Sequence, residues 1–183
     1  YRMTSTIAEY SNRYFYKGAL KSVNPITENE ISIHFYDSAG ADFVESFHEQ
    51  SFSIFNELEL DFVPKIVENH HLEIHKTAFI TPYSGQLQLA KSKLSDFARI
   101  STIDSFQGQE EENIIISLVR SNSEQQIGFL TDYRRMNVAL TRAKKQLFII
   151  GDSSTLGNDD FYSGLISFIE SKNGYHSVWE LSY

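Results

Sequence analysis

Two apolar runs constrain this chain more than any other feature: Ile114-Ile115-Ile116-Ser117-Leu118-Val119 and Leu147-Phe148-Ile149-Ile150. Neither alternates with polar residues, so a strand built from either must be covered on both faces. Each is also too short for a typical buried helix. Between and before them lie segments with helical signatures. Asn56 stands three residues ahead of Glu59, an N-cap and capping-box pair that predicts a helix through about Val67. Gln86–Lys91 is made of helix formers, and Tyr133–Ala143 offers Met136, Val138, Ala139 and Leu140 for burial. Further strands are expected at Ile31–Phe35, Thr77–Ile80 and Arg99–Ile103, with a first helix carrying Ile7, Tyr10 and Tyr14. Strands alternating with helices imply an α/β fold, a three-layer sandwich around a mostly parallel sheet.

Length and composition bound what this fold serves. At 183 residues, 41% of them hydrophobic, the chain suits one well-buried domain over 1–183. It has no cysteine, which excludes disulfides and thiolate metal sites and suits a reducing compartment. No apolar run approaches the ~18 residues of a membrane span, so no membrane role is expected, and a cytoplasmic or nuclear location is. Tyr1 is not preceded by an initiator methionine, so the chain reads as a fragment of something longer.

The net charge is −8, whereas a free-standing nucleic-acid binder usually carries a basic excess. The cations are nevertheless clustered: Arg134, Arg135, Arg142, Lys144 and Lys145 fall within twelve residues, while acids crowd Glu45–Glu73 and Glu110–Glu112. Weak binding by the chain alone is expected, with a local basic face.

Three segments hold more polar detail than a core needs. Thr81-Pro82-Tyr83-Ser84-Gly85-Gln86 follows a strand directly, where α/β proteins place ligand contacts. Ser101-Thr102-Ile103-Asp104-Ser105-Phe106-Gln107-Gly108-Gln109-Glu110 is a strand giving way to a glycine-bearing loop. Arg134-Arg135-Met136-Asn137-Val138-Ala139-Leu140-Thr141-Arg142-Ala143-Lys144 reads as a helix ending in cations. Singly, each has a plain structural reading: a turn, or charges that complement a helix dipole.

In this order they resemble motifs IV, V and VI of superfamily 1 helicases, in the group of the nonsense-mediated-decay and senataxin-like enzymes. The opening Tyr1-Arg2-Met3 resembles the start of that family's second motor domain, and Asn56 with Glu59 matches its N-x-x-E element. The resemblance runs from Tyr1 to about Asp152. It implies a RecA-like domain of P-loop NTPase ancestry, acting with the first RecA-like domain of the same polypeptide on single-stranded or partly duplex nucleic acid. ATP and Mg²⁺ would be held mainly by that first domain. By the same resemblance, Arg142 matches the arginine finger and Arg2 a second arginine near the γ-phosphate. Tyr1 matches an adenine-packing aromatic, and Gly108 and Glu110 a nucleotide-side loop. Thr81, Pro82, Tyr83 and Thr102 fall on the nucleic-acid side. Movement from 5′ to 3′ is implied by the family, and RNA and DNA stay open.

The strand boundaries add a reading of their own. Thr81 and Thr102 close their strands, whereas Glu110 and Arg142 come just before the next ones, which in a parallel sheet are opposite edges. No G-x-x-x-x-G-K-[ST] loop is present: Gly85–Ser92 comes nearest, but Ala90 replaces the second glycine among helix formers. Hydrolysis must therefore use another domain, and the isolated chain is expected to be inactive. A catalytically silent nucleic-acid-associated or scaffold domain is the alternative, and a stand-alone nucleotide-binding protein a poorer third. His70, His71 and His75 contain an i, i+4 pair that would suit a metal only if helical. Phe15, Tyr16, Phe52 and Phe55 are read as core rather than as base-stacking platforms.

Overall fold

The computed structural model describes residues 5–16 and 32–182. Helix α1 (Ser5–Tyr16) is followed by strands β1 (Ile33–Asp37), β2 (Ser46–His48) and β3 (Ser53–Phe55). Next come α2 (Glu57–Asn69), β4 (Thr77–Thr81), α3 (Ser84–Lys93), β5 (Arg99–Thr102) and β6 (Glu111–Ser117). The chain continues through α4 (Tyr133–Leu140), β7 (Ala143–Gly151), α5 (Ser153–Leu156), α6 (Asp160–Ser171) and β8 (Tyr175–Ser177). Six strands form one sheet in the order β5-β4-β6-β7-β1-β8, and every pairing in it is parallel. The remaining two, β2 and β3, make a separate antiparallel hairpin.

The apolar runs sit in the sheet's centre for the reason their composition suggests. Ile114 and Ile116 of β6 join Leu147 and Ile149 of β7 on one face, beneath Ile7 of α1, Met136 and Leu140 of α4, and Phe161 and Leu165 of α6. Ile115, Phe148 and Ile150 face the other way, against Leu60, Val63 and Ile66 of α2 and Ala90 of α3. The result is the α/β/α sandwich expected, with helices on both faces. β1 is fully buried despite its alternating residue types, because β7 and β8 flank it and helices cover it.

Several boundaries differ from those read in the sequence. α4 stops at Leu140, and β7 starts at Ala143 rather than Leu147. Arg142 therefore lies in the two-residue turn between them, not on the helix. β6 begins at Glu111, because Glu111 pairs with Ala143 and Asn113 with Gln146. These polar stretches extend the ladder past the covered part of the sheet, where apolar patterning gives no signal. The hairpin was not foreseen at all. It leaves Phe52 84% exposed, and Tyr16 is likewise exposed, which corrects the core reading for both; Phe15 packs against the core and Phe55 is half-buried.

Asn56 caps α2 by accepting from the Glu59 amide at 3.2 Å, but Glu59 does not reciprocate. Its carboxylate turns inward instead. Oε2 accepts from Ser117 Oγ and, at 3.0 Å, from the Val119 amide, while Oε1 has no partner among the described residues. Gln86 completes the cluster, its Nε2 donating at 2.9 Å to both Ser117 Oγ and the Asn56 carbonyl. The N-x-x-E pair thus ties α2, α3 and the end of β6 together from inside.

Candidate functional site

The parallel sheet has two chemically different edges. At its C-terminal edge Thr81 stands beside Thr102 in register. At its N-terminal edge Glu111 pairs with Ala143, and the Glu111 amide donates to the Arg142 carbonyl at 3.3 Å. Glu110 and Arg142 are thereby neighbours on the edge opposite the two threonines.

Arg142 is fixed by the helix that precedes it. Its Nε donates to the Val138 carbonyl at 3.0 Å, an acceptor at the α4 C-terminus that it shares with the Thr141 amide and hydroxyl, and Nη2 lies 3.4 Å from Thr141 Oγ1. Thr141 itself donates to the Asn137 carbonyl at 3.0 Å. No carboxylate pairs with Arg142 among the described residues, and its Nη1 keeps no partner there. The guanidinium is held through Nε and Nη2, and Nη1 is left open among the described residues. Beside it, Lys145 meets Glu112 at 2.9 Å, and that contact holds the Glu112 carboxyl below its ordinary range.

Glu110 is exposed on the loop that carries the chain from one edge to the other. This crossover from β5 to β6 passes β4 without an α-helix. A 3-10 turn, Asp104–Phe106, buries Phe106 and, just before it, Ile103 as anchors. Gly108 in that loop has φ of +79°, so its backbone favours glycine, and open space surrounds the position a Cβ would take. Arg135 of α4 grips Asp104 with two hydrogen bonds, Nε to Oδ1 at 2.9 Å and Nη2 to Oδ2 at 2.7 Å. Arg134 is exposed and without an ion pair among the described residues.

At the C-terminal edge, Thr102 is partly open, its Oγ1 in contact with the Ser105 hydroxyl at 3.1 Å. Thr81, Pro82 and Tyr83 are not open: all three are buried, and Ser84 is the exposed member of that stretch. Thr81 ends a strand flanked on both sides and Tyr83 points inward, so at this edge the segment offers backbone rather than side chains. The Tyr83 hydroxyl donates to the Ile127 carbonyl at 3.2 Å. Tyr1 and Arg2 lie outside the described residues.

Gly85–Ser92 lies within α3, with the Gly85 amide donating to Ser53 Oγ at 2.9 Å, so this stretch does not cradle a phosphate. His71 occupies a turn at φ +51° and His75 a 3-10 turn, which removes the helical i, i+4 pairing. Among the described residues no group of three His, Asp or Glu side chains is set to hold a metal. No helix there is long and apolar enough to cross a membrane.

A six-stranded parallel sheet covered by helices on both faces has the α/β/α architecture expected of a RecA-like domain. The chain belongs to the AAA domain family, whose sequence pattern matches residues 1–154, and it is a C-terminal domain of a superfamily 1 helicase. An uncharacterized ATP-dependent helicase of Methanocaldococcus jannaschii is 34% identical over 96% of this chain and 29% of its own length. Regulator of nonsense transcripts 1 of Caenorhabditis elegans is 33% identical over 94% of this chain and 18% of its own. DNA polymerase alpha-associated DNA helicase A of Schizosaccharomyces pombe is 32% identical over 93% and 30%. The chain thus spans under a third of the length of these relatives.

Proposed function

We propose that this chain is the second motor domain of an ATP-dependent RNA or DNA helicase or translocase, and that it supplies the arginine finger to ATP held by a first RecA-like domain. The observation that carries this reading is Arg142, anchored through Nε to the Val138 carbonyl yet without a carboxylate partner among the described residues. A permanently charged, planar guanidinium held this way can follow charge as it spreads over the transferred phosphoryl oxygens. Glu110 and Gly108 flank the same edge, and Arg2 and Tyr1 would join them in the nucleotide cleft. The described residues include no phosphate cradle, so the triphosphate and its Mg²⁺ belong to the first domain. The edge at Thr102 would track single-stranded or partly duplex nucleic acid, the Thr81–Tyr83 segment contributing backbone rather than side chains.

The test uses the intact polypeptide, with both motor domains. Arg142→Ala should leave ATP affinity little changed while turnover falls ~10³–10⁵-fold, a barrier increase of about 4–7 kcal/mol. The guanidinium acts mainly on charge that develops in the transition state, so kcat takes the loss. Arg142→Lys should rescue poorly because a point charge lacks the planar fork. Near-normal turnover of Arg142→Ala at saturating nucleic acid would remove the assignment.

A further inference from the structure

We propose that Phe129, stacked on Tyr83 at the C-terminal edge of the sheet, is a base-stacking platform for single-stranded nucleic acid. The inference rests on the reading of that edge as the nucleic-acid side.

Phe129 lies in the 3-10 turn Gly128–Thr131, which leads into α4. Its ring stands 5.4 Å from the Tyr83 ring with 25° between the planes, an offset stack. One face is therefore covered and the other open: Phe129 is 62% exposed, while Tyr83 beneath it is buried. Burial also keeps Tyr83 protonated by raising its pKa, so the support carries no charge near neutral pH.

The support is rigid. The Tyr83 hydroxyl donates to the Ile127 carbonyl, and Arg120 Nη1 reaches it at 3.5 Å while Arg120 Nε bonds Glu45 at 3.0 Å. Gly128 makes the close packing possible. Its φ is +51°, and a Cβ there would fall 2.3 Å from Arg120 Nη1 and 3.1 Å from the Tyr83 hydroxyl. An aromatic ring is thus held in place with its outer face in water, where an unconstrained Phe would turn inward.

The neighbourhood favours a nucleic-acid base. Tyr83 follows Thr81 just past the end of β4, and Thr81 stands in register with Thr102 of β5. Arg134, exposed and without an ion pair among the described residues, is the second residue of α4 and supplies a positive charge for a phosphate. Arg135, beside it, is already spent on Asp104. The other exposed phenylalanines among the described residues, Phe47 and Phe52, contact each other at 6.5 Å on a hairpin that also carries the exposed Glu49 and no cation. Stacking on a π-face tolerates every base, which suits a motor that must move along any sequence.

The test compares the intact polypeptide with its Phe129→Ala and Phe129→Trp variants, titrating fluorescein-labelled dT12, rU12 and a twelve-residue abasic strand. Phe129→Ala should weaken dT12 and rU12 binding by roughly 5- to 150-fold and leave abasic binding unchanged. Phe129→Trp should restore affinity and show fluorescence quenching on adding dT12. Equal loss on base-bearing and abasic strands, or no loss on either, would overturn the stacking role while leaving the motor reading intact. Reduced turnover without any base-dependent loss would assign Phe129 to the contact with the first domain instead, which also overturns it. If the unaltered polypeptide binds none of the three strands, the nucleic-acid reading of this edge fails with it.

Discussion

Replacing Glu59 by glutamine should stabilise the fold more as the pH rises, and the structure sets the size of the effect. Glu59 is completely buried, and burial pushes its carboxyl up to about 8, against hydrogen bonds from Ser117 and Val119 that favour the anion. The neighbouring Asp152 and Glu45 push the same way as burial. In the unfolded chain this carboxyl titrates at its ordinary 4.5. Because the folded value is the raised one, the stabilising contribution is full below pH 4.5 and is lost as the pH rises through 8. At pH 7 the fold must keep a proton that the unfolded chain has released, which costs on the order of 3 kcal/mol. Glutamine keeps the shape and abolishes that cost. It also leaves an amide donor where Oε1 has no partner among the described residues, a penalty of about 1–3 kcal/mol that does not vary with pH. Urea unfolding of both proteins from pH 4.5 to 8 would separate the two effects. The stability of Glu59→Gln minus that of the unaltered protein should climb by about 3 kcal/mol between pH 4.5 and 7. A difference that stays flat across this window would mean that the carboxyl is ionised throughout, and would refute the argument.

Three further outcomes are expected. Burial, with His176 and His71 nearby, lowers His70 to about 4, so the fold should lose stability as the pH falls from 6.5 through 4; thermal melts of His70→Gln should show a shallower decline over that range. Asn56→Ala should cost about 2–4 kcal/mol in urea unfolding, since it deletes the α2 cap and donors to the Phe43 and Val119 carbonyls at 2.6 and 3.1 Å; under 1 kcal/mol would mean those groups find other partners. The purified chain by itself should give no nucleic-acid-stimulated phosphate release from ATP, and sustained turnover that copurifies with it would contradict the division of labour between two domains.

The sheet's centre was legible because burial on both faces leaves a continuous apolar signature, as in Ile114–Ile116 and Leu147–Ile150. Its two edges were legible only as to sidedness. Thr102 and Arg142 fall on opposite edges as the strand order implied, even though the strands' polar ends were misjudged. Lys144 and Lys145 conceal the start of β7, and Glu111 and Glu112 that of β6, because beyond the helical cover a ladder needs backbone partners and no apolar side chains. Glu59 was visible as a capping residue but not as a buried acid: its destination depends on Ser117 and Val119, some sixty residues away. The burial of Tyr83 is hidden for the same reason, since nothing local reveals that Ile127 and Arg120 will enclose its hydroxyl. Phe129 looks in sequence like any core phenylalanine, and only the fold leaves it outside.

The position of β1 bears on how this chain is made. It is an interior strand, yet both of its neighbours, β7 and β8, are encoded more than a hundred residues later. At the ribosome's pace of ~5–20 residues per second, Ile33–Asp37 would wait several seconds or more with neither edge paired. Premature termination anywhere before Leu147 would release that strand without its partner, which makes truncated products candidates for chaperone capture or aggregation rather than stable smaller domains.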